Sequence, residues 1–405
     1  MLSKSAAMIS WVNMKIKTTH LLFTLYSLLF TLFTIYSYAF LDIGLTLTSF
    51  EPYLNFQKKM QWFGYFNRPK STFIFIILAF LLFTIYYLLF NAFKKRETSI
   101  RDILILTVII CGVLLFSYPS FSHDIFNYIF NAKMVLIYQA DPHRHAAMEF
   151  SDSMLGFMRN IHTPAPYFYG WTIISLVPFL LCFNRIFPAI ISFKLFSVFF
   201  FFLTFLFLKK IYPILKIKND KLRLTLFLLN PLILIEAIGV GHNDLSMMAL
   251  VLASFYFLLK YKEEKSSKGR SSSGRKFLLF SVFCFLFSVS IKYTTIILLP
   301  LFFIWYFRPK LDLGLWGAVL LFLLPFIRPL EQLHSWYLIW PLTWIFLSKK
   351  IKAVYFFIFL SFFALLRYAP YIWYGNWDPP VVNLRLLVYF LVPFVSLPLF
   401  LKRKN

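Results

Sequence analysis

The sequence predicts an all-α fold, a polytopic transmembrane helical bundle of about 12–13 membrane segments with no soluble domain. Three observations carry this. Of the 405 residues, 60% are hydrophobic, 21% aromatic and 14% charged, against about 45–50% apolar and about 25% charged in soluble domains. Apolar runs long enough to cross ~30 Å of hydrocarbon recur along the whole chain. The net charge of +25 gathers in a few short loops, as the cytoplasmic loops of membrane proteins do. Disorder, disulfide scaffolds and nucleic-acid modules are thereby excluded, and the partner implied is the lipid bilayer. Cys111, Cys182 and Cys284 all lie inside apolar segments, so no disulfide or zinc framework is readable.

In chain order, the first helix spans 20–41. It is too long for a signal-peptide core and lacks a clean small-residue cleavage site, so it is expected to stay attached as an anchor. Helices follow at 72–92 and 101–118, separated by the basic loop from Lys94 to Arg101. The stretch from Ser117 to Gly170 mixes aromatic, acidic and His residues and is expected to be exported, with an amphipathic helix from Ile125 to Tyr138. Trp171 to Phe183 is apolar but short. Counted as a full crossing it would carry either Lys209–Arg223 or Lys260–Lys276 to the exported side, so it is read as re-entrant or half-spanning. The remaining helices fall at 188–208, 222–238, 246–260, 277–290, 293–306, 312–328, 337–348, 352–367 and 382–401. This alternation leaves 28 of the 41 basic residues but only six of the 16 acidic ones in the cytoplasm. Both termini are then cytoplasmic in a multi-pass plasma-membrane protein. The expected organisation is one transmembrane domain over 1–405, with N-terminal helices at 20–116, an exported loop at 117–170, a helical module at 171–345 and C-terminal helices at 346–405.

Polar residues are biased to one face. Of seven His, only His20 lies on the cytoplasmic side, while Asp124, Asp141, Glu149, Asp152, Asp244 and Glu331 share the exported segments with the other six. An apolar protein that gathers carboxylates and imidazoles at one face is expected to work there.

Four clusters follow. Ser122-His123-Asp124-Ile125-Phe126-Asn127-Tyr128 comes directly after the third helix, which would hold Asp124 rigidly at the membrane surface as a base. The alternative is an Asp that caps the next helix. Asn230-Pro231 through Glu236 to Gly241-His242-Asn243-Asp244 puts a carboxylate inside a helix and a polar turn at its exported end, as a substrate site or as an interhelical hydrogen bond plus a cap. Lys292 stands between two apolar runs, either snorkelling or holding a lipid phosphate. His334-Ser335-Trp336-Tyr337 opens a further helix, where Trp and Tyr are also common interface anchors.

A carboxylate such as Asp124 suits removal of a proton from an attacking hydroxyl. Lys292, with Arg328 or His334, suits the negative charge growing on a departing phosphate. No GxxxxGK[ST], dinucleotide fingerprint, HExxH or GxSxG is present, so nucleotide hydrolysis, redox cofactors, zinc proteolysis and lipase chemistry lack support. No cofactor is expected and no divalent metal is indicated.

Read in order, these clusters resemble the polytopic GT-C glycosyltransferases that use polyprenyl-phosphate sugars, especially the mannosyltransferase-like branch without a soluble domain. The resemblance covers about residues 118–345. The segment around Asp124 looks like that family's first exported loop with its catalytic acid, and Asp141-Pro142 stands where members often carry Asn-Pro-Tyr. Tyr169-Gly170-Trp171 is similar to the family's Tyr-Gly-Pro segment, and His334-Ser335-Trp336-Tyr337 to its His-Pro-Trp-Tyr. Asn230-Pro231 through Asp244 and Ile291-Lys292-Tyr293 also match. His143, Thr172 and Ser335 depart from the pattern.

The resemblance implies a glycosyltransferase that moves a hexose, mannose above others, from a polyprenyl-phosphate-linked donor to a hydroxyl of a glycan or glycolipid acceptor on the exported side. Asp124 would be catalytic; Lys292, Arg328 and His334 would bind the donor phosphate. His123, Tyr128, Tyr169, Asn230, Glu236, His242, Asn243, Asp244, Trp336 and Tyr337 would position substrate. The rival class is a transporter or lipid flippase with a relay through Glu236, Asp244 and Lys292. It is disfavoured because the polar groups gather at one face and no Gly/Pro-broken helix pair repeats in the two halves.

Overall fold

Apolar helices of this length can satisfy their backbone only internally in lipid, and a computed structural model shows a bundle of such helices. It describes residues 2–268, 272–391 and 393–394, and no strand occurs among them. The helices are α1 (Leu2–Ser37), α2 (Glu51–Phe66), α3 (Arg68–Lys94), α4 (Ile100–Leu115), α5 (Asp124–Leu136), α6 (Tyr169–Leu180), α7 (Ile186–Leu215), α8 (Asp220–Leu228) and α9 (Pro231–Ile233). After these come α10 (Asp244–Lys268), α11 (Ser272–Ile291), α12 (Leu298–Phe307), α13 (Leu313–Leu323), α14 (Ile339–Ile345), α15 (Ile351–Leu366), α16 (Ala369–Tyr374) and α17 (Val381–Leu386).

Among the described residues, six helical stretches are long and apolar enough to cross a membrane: Thr19–Phe40, Arg68–Lys94, Ile186–Leu215, Asp244–Ser266, Gly274–Ile291 and Ile351–Tyr374. Asp220–Leu228 and Pro231–Val240, bent by 44°, form a seventh if taken as one span. Tyr169–Leu180, Tyr293–Phe307, Leu313–Ile327 and Val381–Phe390 are shorter apolar helices. At 1.5 Å rise per residue they extend only about 15–25 Å, less than the ~30 Å hydrocarbon core. The helix expected at 382–401 is seen to residue 394, and its remainder lies outside the described residues.

Two local outcomes differ from the sequence reading. α2 was not expected. It begins with Pro52 in its first turn and carries Lys58 and Lys59, so hydropathy alone does not mark it. α5, expected to be amphipathic, has every residue from Ile125 to Met134 buried, enclosed by α6 and α7. α6 is a short segment folded back on α7, where Ser192 Oγ donates to the Pro178 carbonyl at 2.6 Å.

The core centres on the α8–α9–α10 corner, where residues 223–249 are buried without interruption. Lipid-facing apolar stripes remain on the outer helices, such as Phe73, Phe80 and Tyr87 on α3 and Phe280, Phe283 and Leu286 on α11. The bundle has two chemically distinct ends. At one, Arg223 donates to the Lys218 and Phe346 carbonyls, Lys262 to the Tyr306 carbonyl and the Lys349 N–H to Asp312. At the other, the ends of α4, α9, α11 and α13 meet the starts of α5, α10 and α14.

Candidate active site

The second of these ends is built by helix interruptions. Pro119 follows α4, and Ser122 Oγ accepts the Asp124 N–H at 3.2 Å as α5 begins. The N-cap of α5 is His123, which makes no side-chain cap bond. Asp124, the first helical residue, instead reaches His242, Oδ2 to Nδ1 at 3.5 Å. Capping alone therefore does not describe Asp124, although a helix N-terminus also favours its charge.

His242 is delivered by an unusual stretch. Pro231 offers no N–H, so α8 stops and Asn230 caps the next turn, its Oδ1 accepting the Ile233 N–H at 3.2 Å. The chain continues as a π-helix over Leu234–Val240 and leaves it at Gly241, with φ +89°. A Cβ at Gly241 would meet Ile125 Cδ1 at 2.7 Å. The left-handed backbone favours glycine here, and the turn lies against the end of the Ile125 side chain on α5, which sets His242 beside Asp124. On the opposite edge of the ring, Nε2 lies 3.4 Å from Glu236 Oε2. Glu236 Oε1 accepts the Tyr368 hydroxyl at 2.8 Å. The result is a row, Asp124–His242–Glu236–Tyr368, in which all but Asp124 are buried.

Lys194 of α7 braces this row from outside. It is fully buried, and its Nζ donates to the Leu114 carbonyl at 3.2 Å, to Ser117 Oγ at 2.8 Å and to the Ser117 carbonyl. Ser117 Oγ in turn donates to the Gly239 carbonyl at 2.9 Å. The Lys194 amine thus caps the C-terminal end of α4 and ties it to the turn that carries His242.

Lys292 arrives by a close helix crossing. A Cβ at Gly170 would fall 2.0 Å from Ser290 Oγ, so only glycine lets the start of α6 lie against the end of α11. Beyond Ile291 the backbone extends, and Lys292 Nζ donates to Asp244 Oδ1 at 2.9 Å. Trp340 Nε1 donates to the same oxygen at 2.5 Å. Arg328 donates to the Tyr293 hydroxyl at 2.7 Å and the Tyr337 hydroxyl at 3.4 Å. The indole of Trp336 is sandwiched between two imidazoles, 4.1 Å from His242 and 4.2 Å from His334.

These groups surround a cavity of about 410 Å³ whose lining includes Asp124, Lys292, Arg328, His334, Trp336 and Tyr337. His242, Glu236 and Asp244 stand behind that lining through the contacts just given. Asn243 is fully buried beside them, and Tyr128 packs edge-on against Tyr167 and Trp171. Three expected site residues are not brought to the cavity. Asn230 is spent on the helix cap and on Ser361 Oγ, 3.1 Å away. Tyr169 donates to Asp141 at 2.8 Å on the exposed surface, and His123 turns away from the cavity to Asp42, 3.3 Å away.

Sequence reasoning missed Tyr167, Tyr293 and Trp340, each an aromatic in a chain with 23 Tyr and 10 Trp, so none stands out by type. It also missed Asp42 and Lys194. The signal for Lys194 was present: a lone cation inside an apolar run is the same anomaly that drew attention to Lys292.

Electrostatics divides the roles. Burial pushes the Asp124 carboxyl up, but the neighbouring His242 and Tyr167 and the Lys292 charge outweigh it and hold it at about 2. Burial, helped by the Arg367 charge, pushes His334 down to about 3, so it is a neutral ring at physiological pH. The arrangement offers one ionised carboxylate and two cations around a single cavity. Among the described residues, no three His, Cys, Asp or Glu side chains are grouped so as to hold a metal ion.

A family model described as alpha-(1->6)-mannopyranosyltransferase, N-terminal domain, matches residues 33–308, more than half of the chain. The matched span includes Asp124, Glu236, His242, Asp244 and Lys292, whereas Arg328 to Tyr337 lie beyond it. No curated protein matches the chain, and no solved structure does.

Proposed function

Because the chain belongs to the alpha-(1->6)-mannopyranosyltransferase family and is a multi-pass mannosyltransferase, we propose that its donor is a polyprenyl-phosphate-linked mannose of the kind GT-C enzymes use. The acceptor is a glycan or glycolipid hydroxyl, and transfer occurs at the exported face of the plasma membrane. One observation carries this reading: the same cavity is lined by an ionised carboxylate, Asp124, and by two cations, Lys292 and Arg328.

In the reaction, the acceptor oxygen attacks the anomeric carbon while Asp124 takes its proton. The bond from that carbon to the phosphate oxygen breaks, and the phosphate leaves with the electron pair. Lys292 and Arg328 stabilise its charge in a site shielded from water. His242, held between Asp124 and Glu236, fixes the base, and Asp244 holds Lys292. A single displacement inverts the anomeric centre.

Binding of the phosphate also tunes the base. The phosphodiester monoanion of the donor beside Lys292 cancels part of the positive potential that depresses Asp124, so the carboxylate becomes a better proton acceptor only once the donor is bound. A lipid donor is favoured over a nucleotide sugar because the rim of the cavity carries exposed apolar residues, Ile327 at 82% and Phe168 at 45%. The exported orientation rests on the basic loops, which gather at the opposite end of the bundle.

The test uses membranes carrying the protein, an α-mannoside acceptor and labelled mannose presented either on polyprenyl phosphate or on guanosine diphosphate. Transfer from the lipid alone is expected. Transfer from the nucleotide sugar in the absence of lipid would refute the donor assignment.

A further inference from the structure

The Asp42 cluster and the aromatic stretch around Trp377 take no part in the chemistry above, yet they enclose a second cavity of about 400 Å³. It shares a wall with the first. His123 and Arg159 line the second cavity, while the next residues in sequence, Asp124 and Asn160, line the first. Consecutive Cα atoms are about 3.8 Å apart, so the two spaces are divided by little more than one strand of backbone at each point.

We infer that this second cavity is the acceptor subsite, which takes a neutral oligosaccharide and presents its terminal hydroxyl to Asp124 across the His123 edge. The inference rests on the mannosyltransferase reading.

The lining has the chemistry of a sugar site. Tyr371 and Trp377 stack with ring centres 4.1 Å apart and planes 11° apart, and Trp377 remains 41% exposed. The Arg385 guanidinium lies 4.5 Å from the Trp377 ring centre, which fixes the indole from one side. Tyr371 and Arg385 occupy the faces of the indole, so Trp377 offers the cavity its exposed rim, an apolar aromatic edge against which the C–H groups of a pyranose pack while the sugar hydroxyls meet polar groups. Polar edges are at hand in Ser120, His123, Arg159 and Asn376.

Their charge is balanced: Asp42 accepts from Arg159 at 2.7 Å and from the Tyr65 hydroxyl at 3.0 Å, and lies 3.3 Å from His123 Nε2. A compensated cation donates hydrogen bonds without strongly selecting an anion, which favours hydroxyls over phosphate. The cavity is also wired to the catalytic row. Phe121, on its wall, stacks on Tyr368 at 4.3 Å, and Tyr368 is the residue that bonds Glu236.

The experiment measures binding and turnover separately, with α-(1→6)-mannotetraose as the probe and full-length protein in detergent micelles. Trp377→Ala is expected to raise both the Kd and the acceptor KM about tenfold, the worth of one aromatic contact, without changing the KM for the lipid donor. Trp377→Phe, which keeps an aromatic ring and its apolar rim, should recover most of the loss. Asp124→Asn should bind the tetraose as the wild type does.

Wild-type affinity in Trp377→Ala, or no binding of the tetraose by the wild type, would overturn the inference. A change confined to protein yield or thermal stability would do so too, because it would make Trp377 an interface anchor. Failure of the proposed chemistry reads out elsewhere, as an active Asp124→Asn, and leaves the binding comparison intact.

Discussion

Two carboxylate–imidazole pairs in this molecule invite the wrong ranking. His145 and Glu149 are the closer pair, at 2.7 Å, one helical turn apart in sequence, with side chains about half exposed. His242 and Asp124 are 3.5 Å apart and come from segments distant in the chain, the imidazole fully buried and the carboxylate 24% exposed. The shorter distance belongs to the weaker coupling. Water screens the first pair and its geometry is local, whereas the second sits where the effective dielectric is low and each charge strongly affects its neighbours. Separation in sequence also matters, because a local pair forms wherever the chain goes, while the distant one exists only if α5 and the π-helix meet.

The comparison is broken most severely at Asp124. Asp124→Asn keeps size and shape but removes the proton acceptor, so mannosyl transfer should fall by about 10²–10⁴-fold while the unfolding temperature of the purified protein stays near wild type. A normal rate would remove Asp124 from the chemistry.

The wild-type pH profile sharpens the same point. The free-enzyme carboxyl lies at about 2, below its ordinary value, so its ionised form is complete above about pH 4 and is lost as pH falls through 2. Asp124 should therefore give kcat/KM no acid limb in the working range. In kcat, which reports the donor complex, the limb should move to higher pH as the phosphate offsets Lys292. Coincident limbs would show that donor and base do not communicate.

A smaller effect on rate, though a large one on stability, is expected at Lys292. Asp244 is fully buried, and Lys292→Ala would leave its charge uncompensated at a cost of about 3–5 kcal/mol. Adding Asp244→Asn should restore the thermal stability without restoring use of the lipid donor, and Lys292→Arg should keep part of both. Recovery of donor use in the double variant would reduce Lys292 to a structural partner of Asp244. Least of all is expected from the exposed pair: His145→Ala and Glu149→Gln should each leave transfer rate and unfolding temperature within measurement error, and a clear loss in either would erase the contrast drawn above.

Most of the site was legible before the fold was known, for a physical reason. In a chain this apolar, an ionisable residue away from the basic loops has few grounds for being there, so Asp124, Glu236, Asp244 and Lys292 stood out by cost alone. The same logic misled at Asn230. Its neighbour Pro231 lacks an N–H, and the asparagine answers a backbone need that composition cannot distinguish from a ligand's. Aromatic contributors stayed hidden because 21% of the chain is aromatic, and Trp340 differs from other tryptophans only in the partner that folding gives it. α2 escaped because its two lysines dilute the apolar signal, and the burial of α5 could not be read from its own sequence, since what covers it lies in α6 and α7.

The π-helix at Leu234–Val240 has a consequence for how this site tolerates insertions and deletions. A π turn holds about one residue more than the α turn it replaces, and in an α-helix each residue rotates the chain by about 100°. Deleting a single apolar residue from that stretch, with every polar side chain left in place, would let it relax to a regular helix and turn Glu236 and His242 out of line with each other. Length, as much as composition, thus carries information in this segment: a change that touches no charged group can still take the row apart.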